Sequence, residues 1–289
     1  MGERRLNIMK KKIIVALLLC MITLTSVFAF AGCDTTTDGS ELQGFDIELA
    51  KLVAKDLGLD VRFRLIAWEA KELELQNKSI DLIWNGLTIN EERLEQFCIG
   101  TPHMNNKQIA IIRKADKDKY TNLENIKDAK FAYEKGSAGQ DVAEENNFPN
   151  ATGLGAQVDA LTEVKAGTSD IALLDSVLGN FYCSENTDYS DLMIIPDLVF
   201  TVEQYGSAAR KSDVGTMDKI NTSRAKLQQN GELKKLADKY GLSSELCDVT
   251  YESKWDTLTD EEKSGWDYLV NRGKFIVGYT LYAPIAYEA

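Results

Sequence analysis

The sequence is poor in the side chains that most metal sites and nucleophilic enzymes need. Its 289 residues include one histidine, His103, and no CxxC pair. It also has no GxSxG turn and no phosphate-binding P-loop motif. Zinc sites depend on clustered Cys and His, and hydrolytic triads need a nucleophile beside a base. We therefore expect no metal site, no cofactor and no enzymatic activity.

Basic residues are also scarce relative to acidic ones. The chain has 33 Lys and Arg against 45 Asp and Glu, which gives a net charge of −12. Residues 1–32 contain five Lys or Arg and one Glu, so the rest of the chain carries −16. Nucleic-acid-binding proteins use basic patches to neutralise phosphates. The charge balance therefore argues against a nucleic-acid partner.

Residues 1–32 have the pattern of an export signal. The basic start MGERRLNIMKKK precedes the apolar run IIVALLLCMITLTSVFAF and then Ala31-Gly32-Cys33. Small residues before a cysteine, followed by polar DTTTDGS, predict a lipoprotein signal that is cut before Cys33 and lipidated there. We expect an extracytoplasmic protein with a lipid anchor in the cell membrane and a tether over 33–43. The alternative is an uncleaved membrane anchor.

The remaining cysteines do not form a recognisable framework. Cys20 lies in the predicted signal and Cys33 is the predicted lipidation site, which leaves Cys98, Cys183 and Cys247. An odd number of cysteines argues against a disulfide framework. We interpret all three as small, partly buried side chains, and the sequence leaves one bonded pair open.

Predicted helices and strands alternate along the chain. GFDIELAKLVAKDLG has apolar residues at helical spacing, with Asp46 as its N-cap and Gly58 as its stop. Short strands follow in VRFRL, QIAIIRK, KFAYE and SDIALLD, and later as two separate strands over 192–195 and in YGSAARK. Alternating elements of this length predict an α/β architecture with largely parallel sheets.

The last part of the sequence reads differently. Residues 248–264 are acidic, polar and weakly periodic, which predicts a linker. A short helix over 265–272 precedes GKFIVGYTLYAPIAYEA, which has the pattern of a buried strand running into an aromatic loop. Such a segment is typical of the start or interior of a domain.

Few residues are candidates for binding chemistry on position alone. The turn at 136–139 (GSAG) follows a strand and opens a helix, where free N–H groups favour an anion, although such turns are common. Arg93 is either a ligand contact or a solvated helix charge. Asp175 ends a buried strand at the sheet edge where α/β folds bind ligands, or it caps the next helix. Core packing is the default interpretation for the aromatics near strand ends, which are Trp68, Trp84, Tyr279 and Tyr282.

Seven segments taken together resemble one family. They are GFDIELAKLVAKDLG, SIDLIWNGLTINEER, GTPHMNN, AYEKGSAGQD, AGTSDIALLD, YGSAARK and NGELKKLADKYG. Their order and spacing resemble the polar amino-acid-binding proteins that serve ABC importers, the bacterial extracellular solute-binding family 3. The match runs from Gly44 to Gly241. The resemblance implies a type II periplasmic-binding-protein-like fold, in which two α/β lobes are joined by two hinge strands and an amino acid binds between them.

The resemblance also implies domain boundaries and a change in chain order. The family's first strand has a pattern similar to VGYTLYAPIAYE, which here lies at the end of the sequence. That order is typical of a circular permutation, although the strand could instead complete a neighbouring molecule's lobe in a swapped dimer. We expect a monomer with lobe 1 at 44–104 and 205–289, lobe 2 at 109–198, hinges near 105–108 and 199–204, a linker at 242–264 and the relocated strand at 273–289.

By resemblance, four residues hold the charged ends of the ligand. Arg93 matches the arginine that binds the ligand's α-carboxylate, and a guanidinium suits a carboxylate bidentately. Ser137 and Ala138 fall where lobe 2 adds donors to that carboxylate. Ala138 lacks the hydroxyl that many members have there but keeps its N–H. Asp175 matches the carboxylate that holds the α-ammonium.

The other implied contacts surround the ligand's side chain and its lobe 1 face. By resemblance these are Trp68, Asn85, Gly86, Thr88 and Tyr282, with Glu134 and Thr280 near the side chain. Thr280 stands where binders of basic amino acids tend to have an acidic residue, which weakens a lysine or arginine interpretation. Glu134 keeps a cationic or amide ligand open. His103 replaces a common tyrosine near the hinge, and the sequence does not explain it.

The resemblance favours extracytoplasmic binding of a polar amino acid and its delivery to an ABC permease. One alternative is an enzyme of the same fold, such as a dehydratase of the cyclohexadienyl or prephenate type, for which Glu134 is the candidate base. Another is a sensory amino-acid-binding lipoprotein, which would need an output partner.

Overall fold

The structure, a computed structural model, describes residues 41–288. The predicted signal at 1–32, the predicted lipidation site Cys33 and most of the tether therefore lie outside the described residues. Within 41–288 no helix is both long enough and apolar enough to cross a membrane.

The helices of the described chain are short to medium in length, and three single 3₁₀ turns accompany them. The α-helices are α1 (Phe45–Leu57), α2 (Lys71–Gln76), α3 (Glu91–Gln96), α4 (Leu123–Ile126), α5 (Ala138–Glu145), α6 (Gln157–Ala166), α7 (Ser176–Tyr182), α8 (Val214–Gln229), α9 (Glu232–Tyr240) and α10 (Asp260–Arg272). The 3₁₀ turns are Trp68–Ala70, Lys114–Asp116 and Trp255–Thr257.

The strands form one large mixed sheet and one small antiparallel pair. They are β1 (Leu42–Gln43), β2 (Asp60–Leu65), β3 (Leu82–Thr88), β4 (Phe97–Ile99), β5 (Met104–Arg113), β6 (Phe131–Glu134), β7 (Ala151–Leu154), β8 (Ile171–Asp175), β9 (Leu192–Arg210), β10 (Lys274–Tyr279) and β11 (Tyr287–Glu288). The large sheet has the order β2-β10-β3-β9-β5-β8-β6-β7, with β4 paired to β9.

Two parallel groups of strands sit at the two ends of this sheet. β10 is parallel to β2 and to β3, and β6 is parallel to β7 and to β8. Between them β5 and β9 form a long antiparallel pair. We call the half with β2, β10 and β3 lobe 1 and the half with β8, β6 and β7 lobe 2. The α/β prediction is confirmed, with parallel strands inside each lobe and antiparallel strands joining the lobes.

Helix α1 shows why one predicted cap is wrong. The helix ends as predicted at Gly58, whose φ of 68° supplies the left-handed C-cap. Its N-cap, however, is Gly44 and not Asp46. The Asp46 side chain is fully buried and accepts a hydrogen bond from the backbone N–H of Gly86. It therefore binds a group in the interior of lobe 1 and does not cap the helix.

The C-terminal strand β10 lies in the middle of lobe 1. It pairs with β2 from Lys274 to Tyr279 and with β3 at Val277 and Gly278. Phe275 and Val277 are buried in the core. Oδ2 of buried Asp81 accepts from the N–H of Ile276 at 2.8 Å. This strand therefore occupies a core position in the sheet of its own chain.

The segment predicted as a linker is more ordered than its composition indicates. Helix α10 starts at Asp260 because Thr259 and Glu262 form a capping box, so the predicted linker to 264 and helix start at 265 were wrong. The stretch before it is fixed by Asp218 of α8. That carboxylate accepts from the Tyr251 hydroxyl, the Ser253 hydroxyl and the Lys254 N–H, at 2.9, 2.8 and 2.7 Å.

Strand β9 corrects a further prediction. The strand predicted at 192–195 and the strand in YGSAARK are parts of one strand of 19 residues. Its middle section crosses between the lobes with both faces partly exposed, and Val202 is 78% exposed. The sequence of a strand shows an apolar pattern only where one of its faces is buried. The sequence of this section therefore predicted a loop.

Candidate functional site

A cleft lies between the two lobes at the carboxyl ends of β3, β6, β8 and β10. All eleven residues predicted as ligand contacts line it, together with Gln157. The lining residues are Trp68, Asn85, Gly86, Thr88, Arg93, Glu134, Ser137, Ala138, Gln157, Asp175, Thr280 and Tyr282. Open α/β sheets bind ligands at this edge. The structure thus brings the predicted set together, and the role of each as a ligand contact stays a prediction.

Arg93 is a buried cleft residue and not a solvated helix charge. It is 6% exposed, and its N–H donates to the N-cap side chain of Asn90 at 2.9 Å. Its Nη1 donates to the Thr88 carbonyl at 2.8 Å, and its Nη2 donates to the Gly136 carbonyl of lobe 2 at 3.3 Å. These bonds orient the guanidinium within the cleft.

Gly86 brings backbone close to an aromatic wall. Its φ is 60°, and a Cβ there would lie 1.5 Å from the Tyr282 hydroxyl. Only glycine accepts both the left-handed conformation and the contact. Its N–H donates to Asp46 Oδ2 at 2.7 Å.

Behind Gly86, a buried chain of polar groups explains His103. His103 Nε2 lies 3.0 Å from Asp46 Oδ1, and His103 Nδ1 lies 3.1 Å from Arg224 Nη1. An arginine can only donate, so Nδ1 must accept and Nε2 carries the proton that is donated to Asp46. Burial lowers the pKa of Arg224 to about 10, and Asp46 opposes that shift. His103 therefore links two buried charges.

Ser137 and Ala138 sit at the N-terminus of α5, which faces the cleft from lobe 2. Ser137 is the N-cap, and its Oγ accepts from the Gly139 N–H at 3.1 Å. Ala138 is the first helical residue. The helix N-terminus carries a partial positive charge, which suits an anion.

Asp175 lies at the other side of the cleft among amide donors. Its Oδ1 accepts from Asn106 Nδ2 and Gln108 Nε2, each at 2.5 Å, and its Oδ2 accepts from Gln157 Nε2. Asp175 is the N-cap residue of α7 by position, but its side chain makes no capping bond to that helix. Burial raises the pKa of Asp175 to about 7, and Glu203 adds to the shift.

Glu203 shares the same amides. Its Oε1 accepts from Asn106 at 2.6 Å, from Gln108 at 2.9 Å and from the Thr88 hydroxyl at 2.8 Å. The carboxylates of Asp175 and Glu203 thus accept hydrogen bonds from the same two side-chain amides. This side of the cleft is rich in carboxyl groups.

Glu134 adds a third carboxyl to the acidic side. It ends β6 and is 3% exposed. Burial raises its pKa to about 8, and the nearby Asp175 carboxylate raises it further. Lys71 and a hydrogen bond with Gln157 act in the opposite direction. A positive group beside Glu134 would stabilise its ionised form.

The aromatic candidates separate into cleft and core. Trp68 and Tyr282 line the cleft. Trp84 is fully buried against His103, with ring centroids 6.4 Å apart, and Tyr279 packs edge-on against Phe63 at 6.2 Å. Core packing, the default interpretation, describes Trp84 and Tyr279. Trp68 and Tyr282 pack in the core and also line the cleft.

Sequence reasoning missed several polar residues around the cleft. Gln157, Asn106, Gln108, Glu203 and Lys71 were not singled out. A usable signal existed for two of them, because Asn106 and Gln108 lie on a strand face whose other residues, Met104, Ala110 and Ile112, are apolar. Within 41–288 no cluster of His, Cys, Asp or Glu could hold a metal ion, and Cys98, Cys183 and Cys247 are unpaired there.

Comparison with known proteins places the chain in a family. The family described as bacterial extracellular solute-binding proteins, family 3, matches residues 29–243, and the chain belongs to it. The chain is 27% identical over 208 residues to the arginine-binding extracellular protein ArtP of Bacillus subtilis, which covers 70% of the chain and 79% of ArtP. It is 28% identical over 205 residues to the glutamine-binding protein GlnH of the same organism, which covers 69% of the chain and 73% of GlnH.

A solved structure agrees with this assignment. The substrate-binding protein of an ABC uptake transporter from Streptococcus pneumoniae, with bound histidine, matches with a TM-score of 0.65 and 28% identity. The match covers 75% of this chain and 89% of that one. These matched relatives are binding proteins by their descriptions.

Proposed function

We propose that this chain binds a free polar amino acid outside the cytoplasm and delivers it to an ABC importer. The observation that carries the proposal is the division of charge in the cleft. Arg93 and the N-terminus of α5 lie together, whereas Asp175, Glu203 and Glu134 form an acidic side. An amino-acid zwitterion has the matching pair of charges.

The positive side suits the ligand's α-carboxylate. The Arg93 guanidinium presents donors from lobe 1, Ser137 presents a hydroxyl from lobe 2, and Ala138 presents the first N–H of α5. A carboxylate held by both lobes gains bonds that neither lobe supplies alone. Ligand would therefore favour the conformation in which the lobes meet.

The acidic side suits the α-ammonium. The pKa of Asp175 is raised to about 7 by burial and by Glu203, so its ionised form is costly without a cation nearby. An ammonium at Asp175 would relieve that cost. The amides of Asn106 and Gln108 would keep the carboxylate oriented toward it.

We also propose that the ligand's side chain carries a cation or an amide. The α-ammonium accounts for Asp175 and leaves Glu134 as a second buried carboxyl in the cleft. A guanidinium, an imidazolium or an amide N–H could donate to it. The arginine, glutamine and histidine named for the relatives all meet this requirement.

Binding accounts for the cleft better than catalysis does. A dehydratase needs a positioned general base. Glu134 is the candidate base. The positive and acidic sides of the cleft, however, already match the charges of an unreacted amino acid. We therefore propose no enzymatic step, and turnover of a prephenate-like acid by the purified protein would overturn this.

The strand order supports a circular permutation of the family fold. The family match ends at residue 243, yet β10 beyond it fills the position between β2 and β3. The pair of β1 and β11 brings Leu42 beside Glu288, so a turn between the two would restore the usual order. We propose a monomer whose own β10 completes lobe 1. For the anchor, the parent should incorporate labelled fatty acid and Cys33→Ser should not, and equal labelling of the two would contradict lipidation at Cys33.

A thermal-shift screen tests the proposed function. The purified chain is heated with each of the twenty common amino acids at millimolar concentration, because a ligand specific for the folded state raises the melting temperature by mass action. One polar amino acid, or a few related ones, should raise it. A response to none of the twenty would overturn the proposal.

A further inference from the structure

We propose that Lys71 is an interlobe latch, a positioning residue that holds lobe 1 against Gly136 of lobe 2 when the cleft closes over its ligand. The inference rests on the proposed function. Lys71 does not line the cleft, so its effect on binding would act through closure and not through contact with the ligand.

The latch contacts cross between the lobes. Lys71 opens α2 in lobe 1 and is 4% exposed. Its Nζ donates to the Gly136 carbonyl at 3.0 Å and to the Trp68 carbonyl at 3.4 Å. The same Nζ lies 5.1 Å from the centroid of the Trp68 ring, which lines the cleft. A buried charged donor on a carbonyl is a strong link.

Gly136 is shaped for this approach. Its φ is 70°, and a Cβ there would lie 3.1 Å from Cα of Glu69 in lobe 1. Its carbonyl also accepts from Arg93 Nη2 at 3.3 Å. Two cations of lobe 1 thus meet on one carbonyl of lobe 2, which makes Gly136 the point where the lobes join.

How readily the latch closes depends on the charged groups near Lys71 and Arg93. Burial lowers the pKa of Lys71 to about 8, and the positive charge of Arg93 lowers it further, while Glu72, Glu134 and Asp141 oppose the shift. Lys71 and Arg93 both belong to lobe 1, so closing the lobes removes water from around two neighbouring cations. A ligand carboxylate bound to Arg93 would offset that repulsion. The latch would then close more readily over an amino acid than over water.

The test compares the parent with Lys71→Met and with Lys135→Met as a matched control. Lys135 is exposed on lobe 2, next to Gly136 in the chain. The probes are L-arginine, L-glutamine and L-histidine, and the one that the parent binds most tightly is used. Affinity is measured by calorimetry, and dissociation is followed by stopped-flow tryptophan fluorescence.

Lys71→Met should weaken binding on the order of 10-fold, mostly through faster dissociation, because a buried charged hydrogen bond is lost. The melting temperature without ligand should stay the same or rise, because no lysine has to be buried. Lys71→Arg, which keeps a charged donor, should recover most of the affinity. Lys135→Met should bind as the parent does.

Two results would overturn the latch. One is Lys71→Met with parental affinity and dissociation rate. The other is a loss of affinity that comes with a lower melting temperature in the absence of ligand and no recovery in Lys71→Arg, which indicates a structural role. Either result leaves the proposed function standing. A parent that binds none of the twenty common amino acids overturns the proposed function and the latch with it.

Discussion

At the scale of single residues, buried charges decide what the cleft can hold. Arg93 is the clearest case, because it is buried in the cleft and its guanidinium is oriented by the Thr88 and Gly136 carbonyls. Arg93→Ala would leave the ligand's carboxylate desolvated without its partner. We expect a loss of about 2–5 kcal/mol, or roughly 30-fold to 4000-fold in affinity, by calorimetry.

The matched control for Arg93 is Arg64→Ala. Arg64 also belongs to lobe 1, but its side chain is 52% exposed and pairs loosely with Glu74 at 3.6 Å. Exposed pairs contribute little, so this variant should bind as the parent does. Parental affinity in Arg93→Ala would show that the carboxylate site has been misassigned.

His103 should matter for stability because it links Asp46 to Arg224. His103→Leu leaves both buried charges without their shared partner. We expect a loss on the order of 3 kcal/mol, or about 6–12 °C in melting temperature. His103→Gln can still accept from Arg224 and donate to Asp46, so it should recover part of the loss. A leucine variant as stable as the parent in urea unfolding would contradict this.

Glu134 should make the stability of the ligand-free protein depend on pH. Its pKa rises from an ordinary 4.5 to about 8, so the folded state holds this proton more tightly than the unfolded state does. The stabilisation is complete below about pH 4.5 and is lost as the pH rises through about 8. The melting temperature should therefore fall between pH 5 and pH 8, with Asp175 contributing in the same direction.

Glu134→Gln separates this effect from the rest of the protein. The variant cannot titrate at this position, so its melting temperature should depend less on pH over the same range. The control is Glu145→Gln, an exposed residue of α5. A parental pH profile in Glu134→Gln would show that Glu134 is ionised in the folded protein throughout.

The residues singled out from motifs in the sequence lie together in the structure, and their roles as ligand contacts stay predictions. Arg93, Asp175 and the nine other named residues converge because each belongs to a segment with a recognisable pattern. The contacts of Lys71 and His103 could not be predicted, because their hydrogen-bond partners are far away in the sequence. Lys71 bonds to a residue 65 positions away and His103 to one 121 positions away. No local pattern records such a contact.

At the scale of elements, β10 is the strand on which the structure of lobe 1 depends most. A central strand supplies backbone bonds to two neighbours and two buried side chains, Phe275 and Val277, to the core. Removing residues 273–289 should abolish amino-acid binding and expose the facing edges of β2 and β3. Removing only residues 287–289 deletes the two-residue strand β11 and should leave most of the affinity for the amino acid.

Light scattering on the same variants tests the connectivity. If β10 completes its own lobe, the intact chain is a monomer and the 273–289 deletion loses binding. A stable dimer of the intact chain would instead indicate exchange of the strand between two molecules. Parental binding after deletion of 273–289 would contradict the role of β10 altogether.

Element prediction failed where local and long-range signals disagreed. The T-x-x-E pattern at Thr259–Glu262 was a readable helix start, but the acidic composition around it favoured a linker. Strand β9 was divided in two because its crossing section is exposed on both faces. In both cases packing against distant partners, α8 and β5, determines the structure.

At the scale of the whole molecule, the central claim is that two lobes close on both charges of an amino acid. The α/β class and the two-lobe layout were predictable because alternating elements and seven ordered motifs specify them. The contacts that join the lobes at Gly136 were not predictable, because they link residues that are far apart in the sequence.

The most direct measurement is a calorimetric titration with a ligand pair that differs only in the α-carboxylate. L-arginine against agmatine and L-histidine against histamine are two such pairs, and L-glutamine is titrated beside them. We expect one of the three amino acids to bind with 1:1 stoichiometry and its amine analogue, where one is used, to bind at least roughly 10²-fold more weakly. No binding by any common amino acid, or equal binding of an amino acid and its amine analogue, would contradict the account.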